Sequence, residues 1–127
     1  MTKIAVYGSL RQGFGNHRLI EHCKLLSTEV VNIPYKMISL GGFPGLVPSD
    51  KDYEITIEIY EVDDSAYKSV ERLESYPSFY NKAIIGTTLG EIEIYVLNDP
   101  ERYYRGATVE SGDWTAYKTA QYKENYG

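Results

Sequence analysis

The chain has 127 residues, 43% hydrophobic and 24% charged, with a formal net charge of −5 and a single cysteine. That size suits one domain whose core needs no staple, so the whole span 1–127 is expected to be a single domain. The acidic balance argues against a nucleic-acid partner, the lone Cys23 excludes an internal disulfide and a cysteine-built metal cluster, and no apolar run approaches the ~20 residues of a membrane helix, so a cytoplasmic protein is expected.

Residues 4–7 form a short apolar run that closes at Gly8-Ser9, the pattern of a buried strand. Residues 8–16 carry Gly8, Gly13, Gly15 and Asn16 and read as a structured loop. Asn16 is placed to cap a helix from His17, with Leu19, Cys23 and Leu26 on one face and Ile20 beside them. On that face Cys23 reads as a small buried hydrophobe. Strands follow at 29–33 and 35–40, then a rigid turning segment at 41–48. Tyr53, Ile55, Ile57 and Ile59 alternate with Glu54, Thr56, Glu58 and Tyr60, which predicts a half-buried strand.

Asp63, Asp64 and Ser65 can cap the next helix, which places Ala66, Val70 and Leu73 inward with Tyr67 flanking, and Pro77 stops it. Residues 83–85 and 91–97 read as strands joined by a turn at 86–90. The tail has one helical stretch, 114–122. The chain has thirteen tyrosines, among them Tyr95, Tyr103, Tyr104, Tyr117, Tyr122 and Tyr126. Tyrosine fills half-buried strand positions well; the alternative is an aromatic binding surface. Strands outnumber helices without regular alternation, which predicts an α+β fold.

Familiar cofactor motifs fail on inspection. Gly13 and Gly15 begin a dinucleotide fingerprint, but Arg18 stands at its third glycine. Phe14 occupies the lysine position of a phosphate loop counted from Gly8. His17 and His22 are too far apart to pair on one helix face, and Asp50 and Asp52 read as solvated. No metal and no cofactor is expected.

Two segments stand out together: Val6-Tyr7-Gly8-Ser9-Leu10-Arg11, and Leu73-Glu74-Ser75-Tyr76-Pro77 followed by Tyr80. Their order and distance resemble the γ-glutamylcyclotransferase family, with its γ-glutamylamine cyclotransferase and AIG2-like relatives. Phe43-Pro44-Gly45, Ile94-Tyr95-Val96 and Gly112-Asp113-Trp114 resemble further family elements. Two positions depart from the pattern: Ile57, where relatives usually carry glycine, and Asn81-Lys82, where they often carry arginine.

The resemblance implies a small mixed β-barrel-like sheet with flanking helices. It also implies a cyclotransferase that converts a γ-glutamyl amine or peptide to 5-oxoproline plus free amine. Glu74 would be the general base and acid, and Tyr7, Gly8, Ser9, Leu10 and Tyr80 would bind the small-molecule substrate. Spacing alone leaves Glu71, one turn earlier, as a rival and an exposed helix-end glutamate as the plain alternative; the family register selects Glu74. Spacing does put Glu74 beside the buried helix face and in the last turn before Pro77, where burial and the helix dipole both raise a carboxyl pKa. Two other functions fit the same residues: a binding module without turnover on this fold, and a protein-interaction module using the tyrosines. The oligomeric state is not readable from the sequence.

Overall fold

The computed structural model describes residues 1–126; Gly127 and the side chain of Tyr126 lie outside the described residues. Six strands make one mixed sheet: β1 (Thr2–Val6), β2 (Lys24–Ser39), β3 (Pro44–Val62), β4 (Tyr80–Thr87), β5 (Gly90–Leu97) and β6 (Ala107–Thr108). Their spatial order is β4-β5-β1-β3-β2-β6. Every pairing is antiparallel except that of β1 with β5. The sheet curls into a half-barrel, and α1 (Asp64–Leu73) and α2 (Trp114–Tyr126) flank it, in keeping with the α+β expectation. The curl brings the β4–β5 turn to β2, where the Thr88 backbone N–H (3.0 Å) and hydroxyl (2.6 Å) both donate to the Glu29 carboxylate.

Both faces of the sheet centre are covered. Ala5 of β1 and Tyr7 just after it join one apolar cluster with Met37, Ile57, Ile94 and Trp114. Ile4 and Val6, pointing the other way, join a second cluster with Tyr60, Val70, Tyr80 and Leu97. Alternate residues of a strand face opposite sides, so a strand covered on both sides must be apolar throughout, as residues 4–7 are. On β3 the same double cover buries Ile57, Glu58, Ile59 and Tyr60 in succession. Among the described residues no helix is long and apolar enough to cross a membrane.

The capping of α1 agrees with expectation: the Asp63 carboxylate accepts from the Ala66 N–H at 2.7 Å. Ala66 and Val70 are buried as expected, but Leu73 is 38% exposed, because the last turn overhangs a cleft and does not lie on the sheet. The helix ends before Pro77 can act. Ser75 adopts φ 51, and the Ser75 and Tyr76 N–H groups donate back to the Arg72 and Glu71 carbonyls, the paired bonds of a Schellman stop.

Elsewhere the chain departs from the predicted elements. No α-helix starts at His17: Gly15–Leu19 is a 3-10 turn, and β2 already begins at Lys24, so Leu26 is a strand residue. Asn16 does not cap it; the N-cap is Phe14, without a side-chain bond. Cys23 is half-buried at the turn into β2. The two strands expected at 29–33 and 35–40 are one, with Pro34 absorbed at a register shift between Ile33 and Tyr35. Residues 44–48, expected to turn, open β3, so the turn is confined to 41–43. Asp50 and Asp52 lie exposed on that strand. β4 and β5 meet through Thr88 and Leu89 alone, a tighter turn than residues 86–90. The short β6 and the full length of α2 to Tyr126 carried no clear periodic signal.

Candidate active site

A cleft of about 410 Å³ opens where β1 runs out, bounded by the loop after it, the end of α1 and the segment before β3. Tyr7, Gly8, Ser9, Leu10, Glu74 and Tyr80 all line it. These residues come from two segments more than sixty positions apart, so the fold brings together every candidate named from sequence. Glu71 is not among the lining residues; its carboxylate is bound by Lys82 Nζ at 2.6 Å on the outer side of the helix.

Glu74 is fixed by backbone bonds at both of its ends. Its N–H donates to the Val70 carbonyl at 2.9 Å, completing the last turn of α1. Its own carbonyl accepts from the Tyr80 N–H at 3.3 Å as the chain returns into β4. The side chain faces a cleft whose lining holds no lysine, arginine or histidine. Among the described residues its carboxylate has no hydrogen-bond or ion-pair partner. Burial without a compensating charge disfavours the anion and pushes the pKa up from 4.5 to about 7.

The loop after β1 supplies the opposite chemistry. The Gly8 carbonyl accepts from the Arg11 N–H at 2.9 Å, which closes a turn. Among the described residues the Gly8, Ser9 and Leu10 N–H groups make no hydrogen bond, and all three residues line the cleft. Successive free N–H groups in a turn form a concave site for an anion. The Ser9 hydroxyl is oriented by Asn16 Nδ2 at 2.9 Å, and the Leu10 carbonyl is met by His17 Nδ1 at 2.9 Å. Gly8 is required sterically: a Cβ there would lie 2.6 Å from Pro44 Cδ. Gly8→Ala is therefore expected to push Pro44 away, to destabilise the chain by about 1–3 kcal/mol and to lower turnover at least tenfold. Thermal melting and substrate turnover check both.

Three tyrosines form the inner wall. The Tyr7 hydroxyl donates to the Tyr95 carbonyl at 2.8 Å, and the Tyr80 hydroxyl to the Pro44 carbonyl at 2.6 Å. Tyr80 thus presents its ring to the cleft and spends its proton on the chain segment that bounds it. The Tyr95 hydroxyl is buried without a hydrogen-bond partner. Burial is the main cause that raises the phenols of all three; Tyr80 and then Glu74 add to it at Tyr7, and Glu74 adds to it at Tyr80. All three rings stay neutral at physiological pH. Phe43 and Phe79, edge-to-face at 6.0 Å, complete the mouth with Leu73.

Sequence reasoning did not name Tyr95, Phe43, Pro44, Phe79 or Asn16 as cleft residues. Ile94-Tyr95-Val96 and Phe43-Pro44-Gly45 were noticed as patterns, but a strand alone does not say which face meets a cavity. Buried tyrosines and half-buried tyrosines both occur: Tyr7, Tyr60, Tyr80 and Tyr95 lie in the core, while Tyr104 and Tyr122 are exposed. Among the described residues no group of three His, Cys, Asp or Glu side chains is arranged to hold a metal ion.

The family model described as gamma-glutamyl cyclotransferase, AIG2-like matches residues 4–116. A Vibrio cholerae relative named for that activity is 32% identical over 111 residues, 87% of this chain and 93% of its own. The solution structure of YtfP from Escherichia coli superposes with a TM-score of 0.70 at 30% identity, covering 92% of this chain and 99% of that one. An uncharacterised Pyrococcus horikoshii protein shares the fold with a TM-score of 0.82 at 23% identity, over 99% and 100% of the two chains. A Niallia circulans relative that matches a shorter stretch, 34% identical over 60% of this chain and 47% of its own, is named gamma-L-glutamyl-butirosin B gamma-glutamyl cyclotransferase.

Proposed function

The chain belongs to the gamma-glutamyl cyclotransferase, AIG2-like family, and from that premise we propose that it converts a γ-glutamyl amine or γ-glutamyl peptide to 5-oxoproline and the free amine, in the cytoplasm and as a single domain. The observation that carries this reading is Glu74: a carboxyl in a cleft without a cation, its pKa pushed up to about 7 by burial. A group that titrates near neutrality can both take and return a proton under working conditions.

The substrate contains both reacting groups, so the protein need only hold it bent. Its α-ammonium gives a proton to the Glu74 carboxylate, and the freed amine attacks the γ-carbonyl carbon. A carbon–nitrogen bond forms, and the carbonyl oxygen becomes an oxyanion facing the open N–H groups of Gly8, Ser9 and Leu10. The bond to the leaving nitrogen then breaks as Glu74 returns the proton to it, and the regenerated carboxylate takes the surplus proton from the ring nitrogen and passes it to the released amine. Of the three ammonium protons, one stays on the lactam nitrogen and two end on the leaving amine; Glu74 finishes as it began. Tyr7 and Tyr80 shape the pocket by holding its backbone walls.

The test is 5-oxoproline release from a panel of γ-glutamyl amines and peptides. Its pH dependence adds a second check: kcat/KM is expected to fall below a midpoint near 7, because protonation removes the base. Binding of panel members or of 5-oxoproline without turnover of any would replace the enzyme by a binding module. An acid limb near 4.5 would mean that Glu74 does not carry the proton.

A further inference from the structure

Building on the reading that the open N–H groups of Gly8, Ser9 and Leu10 hold the γ-glutamyl group, we propose that Arg11, Glu58 and Asp113 are positioning residues that lock this donor loop into its binding shape. Residues 8–14 belong to no strand, and Gly13 sits at φ 95, so no ladder of backbone bonds imposes the loop's form. Beyond its own turn bonds and the contacts from Asn16 and His17, one largely buried ionic cluster ties the loop to the sheet and to α2. Arg11 is 7% exposed and Glu58 4%. Arg11 Nε donates to Glu58 Oε2 at 2.9 Å, and Nη1 donates to Asp113 Oδ1 at 2.9 Å. The other oxygen of Glu58 accepts from the Tyr60 hydroxyl at 2.7 Å and from the Gln12 N–H, in the loop itself, at 3.1 Å.

The geometry ties main chain and side chain at one residue. The Arg11 N–H closes the turn on Gly8, and the Arg11 carbonyl accepts from Phe14. Its guanidinium then bolts that turn to β3 through Glu58 and to the start of α2 through Asp113. None of the three residues lines the cleft, so they act on it only through the loop.

Stability alone does not account for this cluster. Taking an ion pair out of water costs much of what the attraction returns, and an apolar group of similar size commonly serves stability as well. A forked guanidinium between two carboxylates does something an apolar group cannot, which is to admit one orientation. Glu58 in particular receives three donors from three sources. A carboxylate accepts all of them, whereas an amide would turn its own N–H toward one.

The test compares Glu58→Gln and Asp113→Asn with wild type, using calorimetric binding of 5-oxoproline and turnover of the best γ-glutamyl substrate. Glu58→Gln is expected to weaken 5-oxoproline binding and to lower kcat/KM, each at least tenfold, since a small misplacement from outside a site can cost on the order of a hundredfold. Asp113→Asn, which keeps an acceptor, is expected to move both in the same direction by less. The acid limb near 7 stays where it is, because the cluster does not touch Glu74. General loosening of the pocket would instead expose Glu74 and move that limb toward 4.5; such a shift, or folded Glu58→Gln with affinity and kcat/KM within twofold of wild type, overturns the proposal. Should Glu58→Gln not fold, Arg11→Lys carries the test with the same thresholds, since lysine keeps the charge and loses the fork. A wild type that neither binds 5-oxoproline nor turns over any substrate sinks the cyclotransferase reading itself, whereas an active wild type with unaffected variants sinks only the positioning role.

Discussion

Glu74→Gln is expected to lower 5-oxoproline release by about 10²–10⁴-fold while making the folded chain more stable above neutral pH. The two effects have one cause. The amide keeps the size and shape of the side chain, and the donor loop that grips the substrate is untouched, so binding of 5-oxoproline persists. What disappears is a group able to take a proton from the substrate's ammonium and return one to the leaving amine. The stability gain follows from the raised pKa. A carboxyl that titrates near 7 when folded, against 4.5 ordinarily, binds more protons in the native than in the unfolded state between those values. Wild-type stability therefore falls as pH rises through that window, by at most about 3 kcal/mol. The glutamine variant has no such penalty. Urea unfolding of the two proteins at pH 4 and pH 8 should show a gap that is small at the lower pH and fully open at the higher one. A gap independent of pH would mean that burial does not act on the charge, and undiminished turnover would remove Glu74 from the chemistry.

Gly112→Ala is expected to cost the fold about 4 kcal/mol or more, in the range reserved for backbone strain combined with overpacking. Gly112 sits at φ 64, and a Cβ built on it would fall 1.7 Å from the Glu54 carbonyl oxygen. That contact is backbone against backbone, so no side chain can swing aside to relieve it. The Gly112 carbonyl also accepts from the Thr56 N–H at 2.8 Å, and its own N–H donates to the Val109 carbonyl at 3.0 Å. Two residues on, Trp114 is fully buried and stacks on Tyr117 with centroids 5.4 Å apart. Displacing Gly112 therefore lifts the start of α2 from β3 and with it Asp113, one of the two anchors of Arg11. Denaturant unfolding should show a large drop in midpoint at unchanged slope; an unchanged midpoint would show that β3 can yield at Glu54.

The parts of the fold that were legible in the sequence are those governed by local chemistry. Asp63 before an amphipathic run specifies the start of α1, and the even apolar run at residues 4–7 specifies a strand covered on both faces. What misled were breaker residues that the tertiary structure accommodates. Pro34 lacks an N–H to give, and β2 absorbs that at a shift in register without ending. Pro44 and Gly45 look like a turn but begin β3, where the missing Cβ of Gly45 leaves room for Leu97. Leu19, Cys23 and Leu26 have helical spacing by accident, since the chain turns between them. The candidate site was more legible than the strands, because the resemblance to a family already joined the two halves of the cleft. Its supports were not. Glu58 stands in an alternation of isoleucine with polar residues and so reads as solvent-facing, yet it is 4% exposed. The reason is the double cover over the centre of β3, which no one-dimensional pattern reports.

The long, bulged course of β2 bears on how the chain behaves among copies of itself. On its outer side Ile38 and Ser39 pair with the two-residue β6, and the Met37 carbonyl accepts from the Val109 N–H at 2.8 Å. The rest is an open sheet edge, a place where another chain can add a strand and seed aggregation. This edge is poorly suited to such templating. Its register slips between Leu25 and Ser27 and again between Ile33 and Tyr35, so a straight incoming strand loses step at both points. Pro34 withholds a donor, and Lys24 and Lys36 set charge at either end. The irregularities that hid this strand in the sequence therefore also guard it against intermolecular pairing.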